Sequence, residues 1–180
     1  MKNTVKITAG SLRGRQITTP GGKTHPMGER ERLALFNMIL GYIPGSSVLD
    51  AFSGSGALGI EAISRGAKRV VFVEKDPKAM ATIKQNLSSL DIDTEGAELI
   101  LGDVYRVIPT MKDQFELVLA DPPYDDYDPI AIRILAQMVT RTNGILVLSH
   151  PGAAPEMPGL TLQKSRTYSG ATISIYGVIA

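Results

Sequence analysis

Apolar and polar residues first alternate along this chain and then fall into a helical period. Those changes of period divide it into elements. Val5 to Ala9 alternates as a half-buried strand does, Gly10 to Gly14 supplies a turn, and Arg15 to Thr18 can return as a second strand. This predicts a hairpin with Arg13 and Arg15 near its tip. Pro20-Gly21-Gly22 is a loop. Leu33, Leu35, Phe36, Ile39 and Leu40 then stand at helical spacing and predict a helix over 29–41, closed by Gly41, Pro44 and Gly45.

From Ser46 onward strands and helices take turns. Strands are expected over 47–51, 69–74, 98–101, 115–120 and 144–149, and helices over 57–65, about 77–90, 104–111 and 129–139. Asp76 with Pro77 is a cap followed by a first-turn proline. The strands are nearly unbroken apolar runs, which a parallel sheet covered on both faces requires. The ending differs. Leu160 to Tyr168 and Thr172 to Val178 both alternate, and only Ser169-Gly170-Ala171 separates them. So short a link makes a hairpin, and one of its strands must run antiparallel to the rest. The expected fold class is α/β: a Rossmann-like sheet of seven strands, five parallel plus a C-terminal hairpin with one antiparallel strand, preceded by a small N-terminal β-hairpin and helix. The division falls into an appendage over 1–44 and a main domain over 45–180.

Composition adds exclusions. The chain is 43% hydrophobic with a net charge of +1, and no apolar run approaches the ~20 residues of a membrane span. Met1 to Lys6 lacks the apolar core of a signal peptide. The absence of cysteine excludes disulfides and thiolate metal sites and fits a cytoplasmic protein. Two histidines, His25 and His150, are too few and too far apart in sequence to suggest a metal centre. Charge matters through its distribution. Residues 1–32 hold seven basic residues against two acidic ones, a net +5, which leaves −4 for the remainder. A basic arm on an acidic body is the footprint of a nucleic-acid binder, although a solvated extension would read the same way.

The stretch from Val48 to Gly59 carries the first chemistry. An apolar run ends in Asp50, glycines follow at 54, 56 and 59, and an amphipathic segment begins, so the order is strand, tight loop, helix. The next strand ends in Glu74, 20 residues after Gly54, where a carboxylate can accept from ribose hydroxyls. A nucleoside-containing cofactor is implied. Asp50 would repel a pyrophosphate and suits a ligand with a cationic or amino group. The pattern Asp-x-Phe-x-Gly-Ser-Gly resembles motif I of the S-adenosylmethionine-dependent methyltransferases. In that resemblance the loop residues Asp50, Phe52, Gly54, Ser55 and Gly56 wrap the methionine end of the cofactor.

Ligands of an open α/β sheet bind outside the carboxyl ends of its strands. The acids expected there are Asp50, Glu74, Asp103 and Asp121, each of which could alone be a cap or turn residue. Asp121-Pro122-Pro123-Tyr124 is the second signal. Its prolines fix φ and remove donors, leaving rigid carbonyl acceptors. An acidic acceptor, a rigid carbonyl and an aromatic ring suit a planar base with an exocyclic amine: Asp121 and the Pro122 carbonyl accept from the amine, and Tyr124 stacks on the ring.

Together, Asp50 to Ala67 and Asp121 to Tyr124 resemble the bacterial small-subunit ribosomal RNA guanine-N2 methyltransferases of the RsmD type. Gly10-Ser11-Leu12-Arg13-Gly14-Arg15, Arg32-Leu33-Ala34-Leu35-Phe36-Asn37 and the ending Tyr168 to Tyr176 agree with that family, so the resemblance spans nearly the whole chain. It implies methyl transfer from S-adenosylmethionine to the N2 amine of a guanine in 16S ribosomal RNA, free or in the small-subunit particle, by a monomeric cytoplasmic enzyme. It implies that Glu74 and Lys75 hold the ribose side, that Asp103 and Val104 meet the adenine, and that Asp121, Pro122 and Tyr124 orient the target. Arg13, Arg15, His25, Arg30 and Arg32 would contact RNA. The chain departs from the family at His25-Pro26-Met27, at Glu29, and at Ser149-His150, where the family has Glu after the fifth strand. Rival readings are an adenine or cytosine amino-methyltransferase, a protein glutamine methyltransferase, which usually has Asn before Pro-Pro-Tyr, and a non-catalytic nucleic-acid binder.

Overall fold

The computed structural model describes residues 4–21, 27–93, 95–168 and 171–178. Two strands, β1 (Thr4–Lys6) and β2 (Gln16–Thr18), pair antiparallel as the N-terminal hairpin. Helix α1 (Glu29–Met38) follows, and Leu40–Tyr42 adds one 3-10 turn. The main sheet then alternates with helices: β3 (Ser47–Asp50), α2 (Ala57–Ser64), β4 (Arg69–Glu74), α3 (Pro77–Ser89), β5 (Ala97–Leu101), α4 (Val104–Val107), β6 (Phe115–Ala120), α5 (Pro129–Val139), β7 (Thr140–His150), β8 (Leu160–Thr167) and β9 (Thr172–Val178). The seven strands lie in the order β5-β4-β3-β6-β7-β9-β8. Neighbours are parallel from β5 to β7, and β9 runs antiparallel to both β7 and β8, as the short link demanded.

Strand alternation assigns the two faces. Val48, Val70, Phe72, Leu117, Leu119, Ile145, Val147, Ile173 and Ile175 bury one layer, shared with α1, α2, α3 and the hairpin residues Ile7 and Ile17. Leu49, Val71, Val73, Val118, Ala120, Leu146, Leu148 and Tyr176 bury the other, against α4 and α5. The hairpin and α1 therefore share the core of the main sheet.

Local departures from the expected elements have identifiable causes. β1 stops at Lys6 because the Thr8 and Ala9 N–H groups donate to the Glu61 carboxylate, at 2.9 and 3.1 Å, rather than to a strand. The helix expected over 104–111 is one α-turn followed by a 3-10 turn at Ile108–Thr110, where Pro109 supplies no N–H. β7 begins four residues before Gly144 and carries a bulge opposite β6: Thr140 pairs with Phe115, whereas Leu117 already pairs with Ile145. Asn143 adopts φ +64° there. A Cβ at Gly144 would stand 2.9 Å from the Glu116 carbonyl, so the bulge needs glycine at that point.

Candidate active site

The loop after β3 is shaped by its glycines. Gly56, at φ +79°, starts α2 from the left-handed region that favours glycine. Gly59 lies where a Cβ would come within 2.2 Å of the Phe72 ring, so its absence lets α2 close onto β4. Ser53 ties the loop down by donating to the Asp50 carbonyl at 2.8 Å. The buried Ser55 carbonyl accepts from the Asn86 amide at 3.0 Å, and the same amide reaches Thr18 of β2.

Parity puts the strand-end acids on one face. Asp50 follows Val48, Glu74 follows Phe72 and Asp121 follows Leu119, each two residues after a member of the first core layer. The Asp50 carboxylate is buried; Oδ2 accepts from the Gly59 N–H at 2.9 Å, and Oδ1 has no partner. Burial, opposed by the Gly59 hydrogen bond and reinforced by the charges of Asp121 and Glu74, pushes the Asp50 pKa up to about 7. Burial also raises that of Asp121, against the Ser149 hydroxyl hydrogen bond. Glu74 accepts from Gly54 N–H at 2.7 Å through Oε2 and from Asp76 N–H at 2.8 Å through Oε1. A buried acceptor with no partner, beside two further carboxylates, is a poor place for a phosphate and a good one for a cationic or amino group.

The other predicted positions fall as follows. Phe52 is half-buried and meets the Tyr105 ring edge-on, with centroids 6.0 Å apart. Lys75 pairs with Asp126. Asp103 caps α4 by accepting from the Tyr105 N–H at 2.9 Å, and Val104 belongs to the second core layer. Pro122 is buried, and Tyr124 opens an exposed 3-10 turn through Asp126. The arm residues separate. Ser11 N–H donates to the Ser64 carbonyl at the end of α2, and the Arg15 guanidinium donates to the Ser89 carbonyl at the end of α3, at 2.7 and 2.9 Å. The exposed Arg13 and Arg15 therefore sit at the end of the domain opposite the strand-end acids. Arg30 is exposed on α1, and His25 lies outside the described residues.

Arg32 corrects an expectation. The sequence places it with the RNA-contacting residues, but it is 1% exposed. Its guanidinium bonds Glu61, the Met27 carbonyl and the Lys6 carbonyl, joining α1 to α2 and the hairpin. With each of its three nitrogens bonded inside the fold and the side chain closed off from solvent, this guanidinium is out of reach of a phosphate.

Four residues take places at or near the site that the sequence does not assign them. Ser149 stands beside Asp121 because Leu148 pairs with Ala120. Tyr105 donates to the Asp126 carbonyl at 2.6 Å, so the turn after Pro123 is held to α4 as well as to Lys75. His150 is buried, stacks on Tyr127 at 6.3 Å and contacts the Ser174 hydroxyl at 2.8 Å. Asn86 joins the hairpin to the glycine loop. Each is defined by a contact far along the chain, and only the seryl-histidyl departure at 149–150 marked any of them in the sequence. Among the described residues no cluster of three or more His, Asp or Glu could hold a metal ion, and no helix is long and apolar enough to cross a membrane.

The family model described as "Conserved hypothetical protein 95" matches residues 5–177. The chain belongs to this family. A Bacillus subtilis protein provisionally named an rRNA methyltransferase is 33% identical over 181 residues, covering 96% of this chain and 98% of that one. The Haemophilus influenzae ribosomal RNA small subunit methyltransferase D is 39% identical over 126 residues, 68% of this chain and 65% of that one. A solved Haemophilus influenzae structure, provisionally named a methylase, superposes with a TM-score of 0.81 at 30% identity, over 99% of this chain and 100% of that one. This member of the family is a methyltransferase.

Proposed function

We propose that this chain transfers a methyl group from S-adenosylmethionine to the exocyclic N2 amine of a guanine in 16S ribosomal RNA, acting in the cytoplasm as a monomer on free RNA or the small-subunit particle. The observation that carries the reading is the pairing of the Asp121-Pro122 turn, with Asp121 half-buried and Pro122 buried, with the unpartnered Asp50 carboxylate on one face of the sheet. The relatives' names support ribosomal RNA as the substrate.

The residues present fit the cofactor. Asp50 Oδ1 is the free acceptor for its amino group, the glycine loop admits its chain, and Glu74 faces the ribose with lone pairs beyond those used by Gly54 and Asp76. When bound, S-adenosylmethionine supplies an activated methyl group on a sulfonium, so positioning is most of what the protein must add. Asp121 and the Pro122 carbonyl accept from the amine and aim its lone pair. Asp121 is also suited to take the departing proton, because burial makes its carboxylate a stronger base than an exposed one. Tyr124 stacks on the base, which must leave its helix to reach the site.

Incubation with labelled S-adenosylmethionine and small-subunit particles or RNA, followed by nucleoside mass analysis, tests the reading. N2-methylguanosine is expected. N6-methyladenosine would move the target to an adenine amine.

Two predictions concern the cofactor. Glu74→Gln keeps the shape and removes the charge, so affinity for S-adenosylhomocysteine should fall by ~1.5–3 kcal/mol, the range for a hydrogen bond to a charged group. Calorimetry reads this, and an unchanged constant would remove Glu74 from the ribose site. The second follows from Asp50, which titrates at about 7 without ligand. A bound ammonium favours the ionised carboxylate, so binding at low pH must first release a proton. Affinity should therefore rise with pH, by up to about tenfold per unit below that pKa, and level off above it. Asp50→Asn should abolish the dependence; a flat wild-type profile from about pH 5.5 to 8.5 would exclude Asp50 as the ammonium's partner.

A further inference from the structure

We propose that the edge strand β8 is a phosphate-binding surface that holds the RNA backbone beside the target nucleotide, through Lys164 and Arg166. The proposal rests on the ribosomal RNA reading above.

Strand register aligns this surface with the reacting edge. Ala120 pairs with Leu148, so Asp121 is level with Ser149; Ser149 pairs with Ile173, and Ile173 with Arg166. Asp121, Ser149, Ile173 and Arg166 thus form one row across β6, β7, β9 and β8. Three strand spacings separate its ends, about 14 Å. The row also shares a face. Directly opposed residues on neighbouring strands project to the same side. Arg166 opposes Ile173 and Lys164 opposes Ile175, and both isoleucines belong to the core layer that contains Leu117 and Leu119. Asp121 continues the parity of those leucines. Lys164 and Arg166 therefore emerge on the side of the sheet from which Asp121 is approached. They stand two residues apart, about 7 Å along the strand, a separation that successive phosphates of an extended nucleic-acid strand can match.

Charge identifies the occupant. β8 pairs on one side only and is exposed from Thr161 to Thr167. After Glu156 the chain has no acidic residue, and its only basic ones are Lys164 and Arg166. Neither enters an ion pair among the described residues. On the other face a hydroxyl chain, Ser165 to Ser174 at 2.9 Å and Ser174 to His150 at 2.8 Å, pins the strand to β7, so the two cations are held in register with the site. Arg13 and Arg15, by contrast, lie at the opposite end of the sheet, and Arg15 is already engaged by the Ser89 carbonyl. Basic residues on an edge strand can also serve to block edge-to-edge pairing, and the experiment separates that role from this one.

The full chain with Lys164→Gln and Arg166→Gln is compared with wild type on 16S RNA and on small-subunit particles. Turnover is measured against salt, with RNA binding followed in parallel by fluorescence anisotropy. The variant should raise KM for RNA about tenfold, keep kcat within about twofold, bind S-adenosylhomocysteine as wild type does, and flatten the logarithmic salt slope by about 1.4, the value for two single-strand phosphates. Lys164→Arg with Arg166→Lys should restore the slope. An unchanged KM and slope overturns the proposal, whether or not the Gln variant self-associates by light scattering. Self-association alone would assign the strand to edge protection. A wild type that binds the RNA but methylates none of it overturns the functional reading instead, and the variant's binding slope then decides the edge strand independently.

Discussion

Replacing Asp121 with alanine is expected to lower turnover on the order of a hundredfold and to change cofactor affinity little. Asp121 directly follows β6, on the face that carries Asp50 and Glu74, beside a proline that fixes the next turn. Its carboxylate is desolvated, and Ser149 donates to it from the neighbouring strand. That hydrogen bond and the strand end leave it few alternative directions. The alanine variant removes one of two acceptors for the amine and leaves the glycine loop, Asp50 and Glu74 in place. Misplacing a reacting atom by about 1 Å can cost on the order of a hundredfold. Single-turnover rates with saturating cofactor measure the loss, and calorimetry with S-adenosylhomocysteine measures what is retained. Asp121→Asn separates two roles, since its amide oxygen still accepts one hydrogen bond but takes no proton at neutral pH. Near-full activity in the asparagine variant makes Asp121 an orienting group. A deep loss makes it the proton acceptor as well. An active alanine variant would falsify the assignment and reduce the segment to a turn.

The parts of this chain that were legible in its sequence are those governed by local rules. The alternation of strands and helices and the C-terminal hairpin followed from apolar runs and from the three residues between Tyr168 and Thr172; the order of the strands in the sheet did not. The glycine loop and the acids at the ends of β3, β4 and β6 followed from spacing, because a strand end fixes where its last side chain stands. Asp103 remained ambiguous for the same reason: capping a helix and meeting a ligand call for the same residue, and here its oxygen caps α4. What could not be read depended on pairing between distant segments. Ser149 and Arg166 acquire their places from register across three strand pairs. Arg32 differs because its charge says nothing of its burial. A charged run leading into a helix looks solvated, and only the fold reveals that one of its four members, Glu29 to Arg32, turns inward to a carboxylate 29 residues further on.

That carboxylate, Glu61, is where the second large effect is expected. Glu61 stands on α2 with no side-chain exposure, between Arg32 at 1% and Arg65 at 5%. It accepts from Arg32 Nε at 3.4 Å, Arg65 Nε at 2.9 Å, the Thr8 hydroxyl at 2.6 Å, and the Thr8 and Ala9 N–H groups. One side chain thus holds the hairpin, α1 and α2 together beneath the first core layer. Glu61→Ala strands a buried guanidinium and leaves backbone donors without an acceptor. Breaking a buried ion pair from one side costs about 3–5 kcal/mol, a large share of the roughly 5–15 kcal/mol that keeps a domain folded. Urea denaturation should show this as a lower midpoint, and limited proteolysis should cut the hairpin first. The pair itself need not be stabilising. Glu61→Met with Arg32→Met replaces both charges with apolar volume and should lose less than the single alanine change, since no Arg32 guanidinium is left stranded and Arg65 keeps the Thr8 hydroxyl and the Phe36 ring. If Glu61→Ala lowers stability by less than about 1 kcal/mol, the network is not what fastens the arm, and the shared apolar layer of Ile7, Ile17, Leu35 and Phe36 holds it alone.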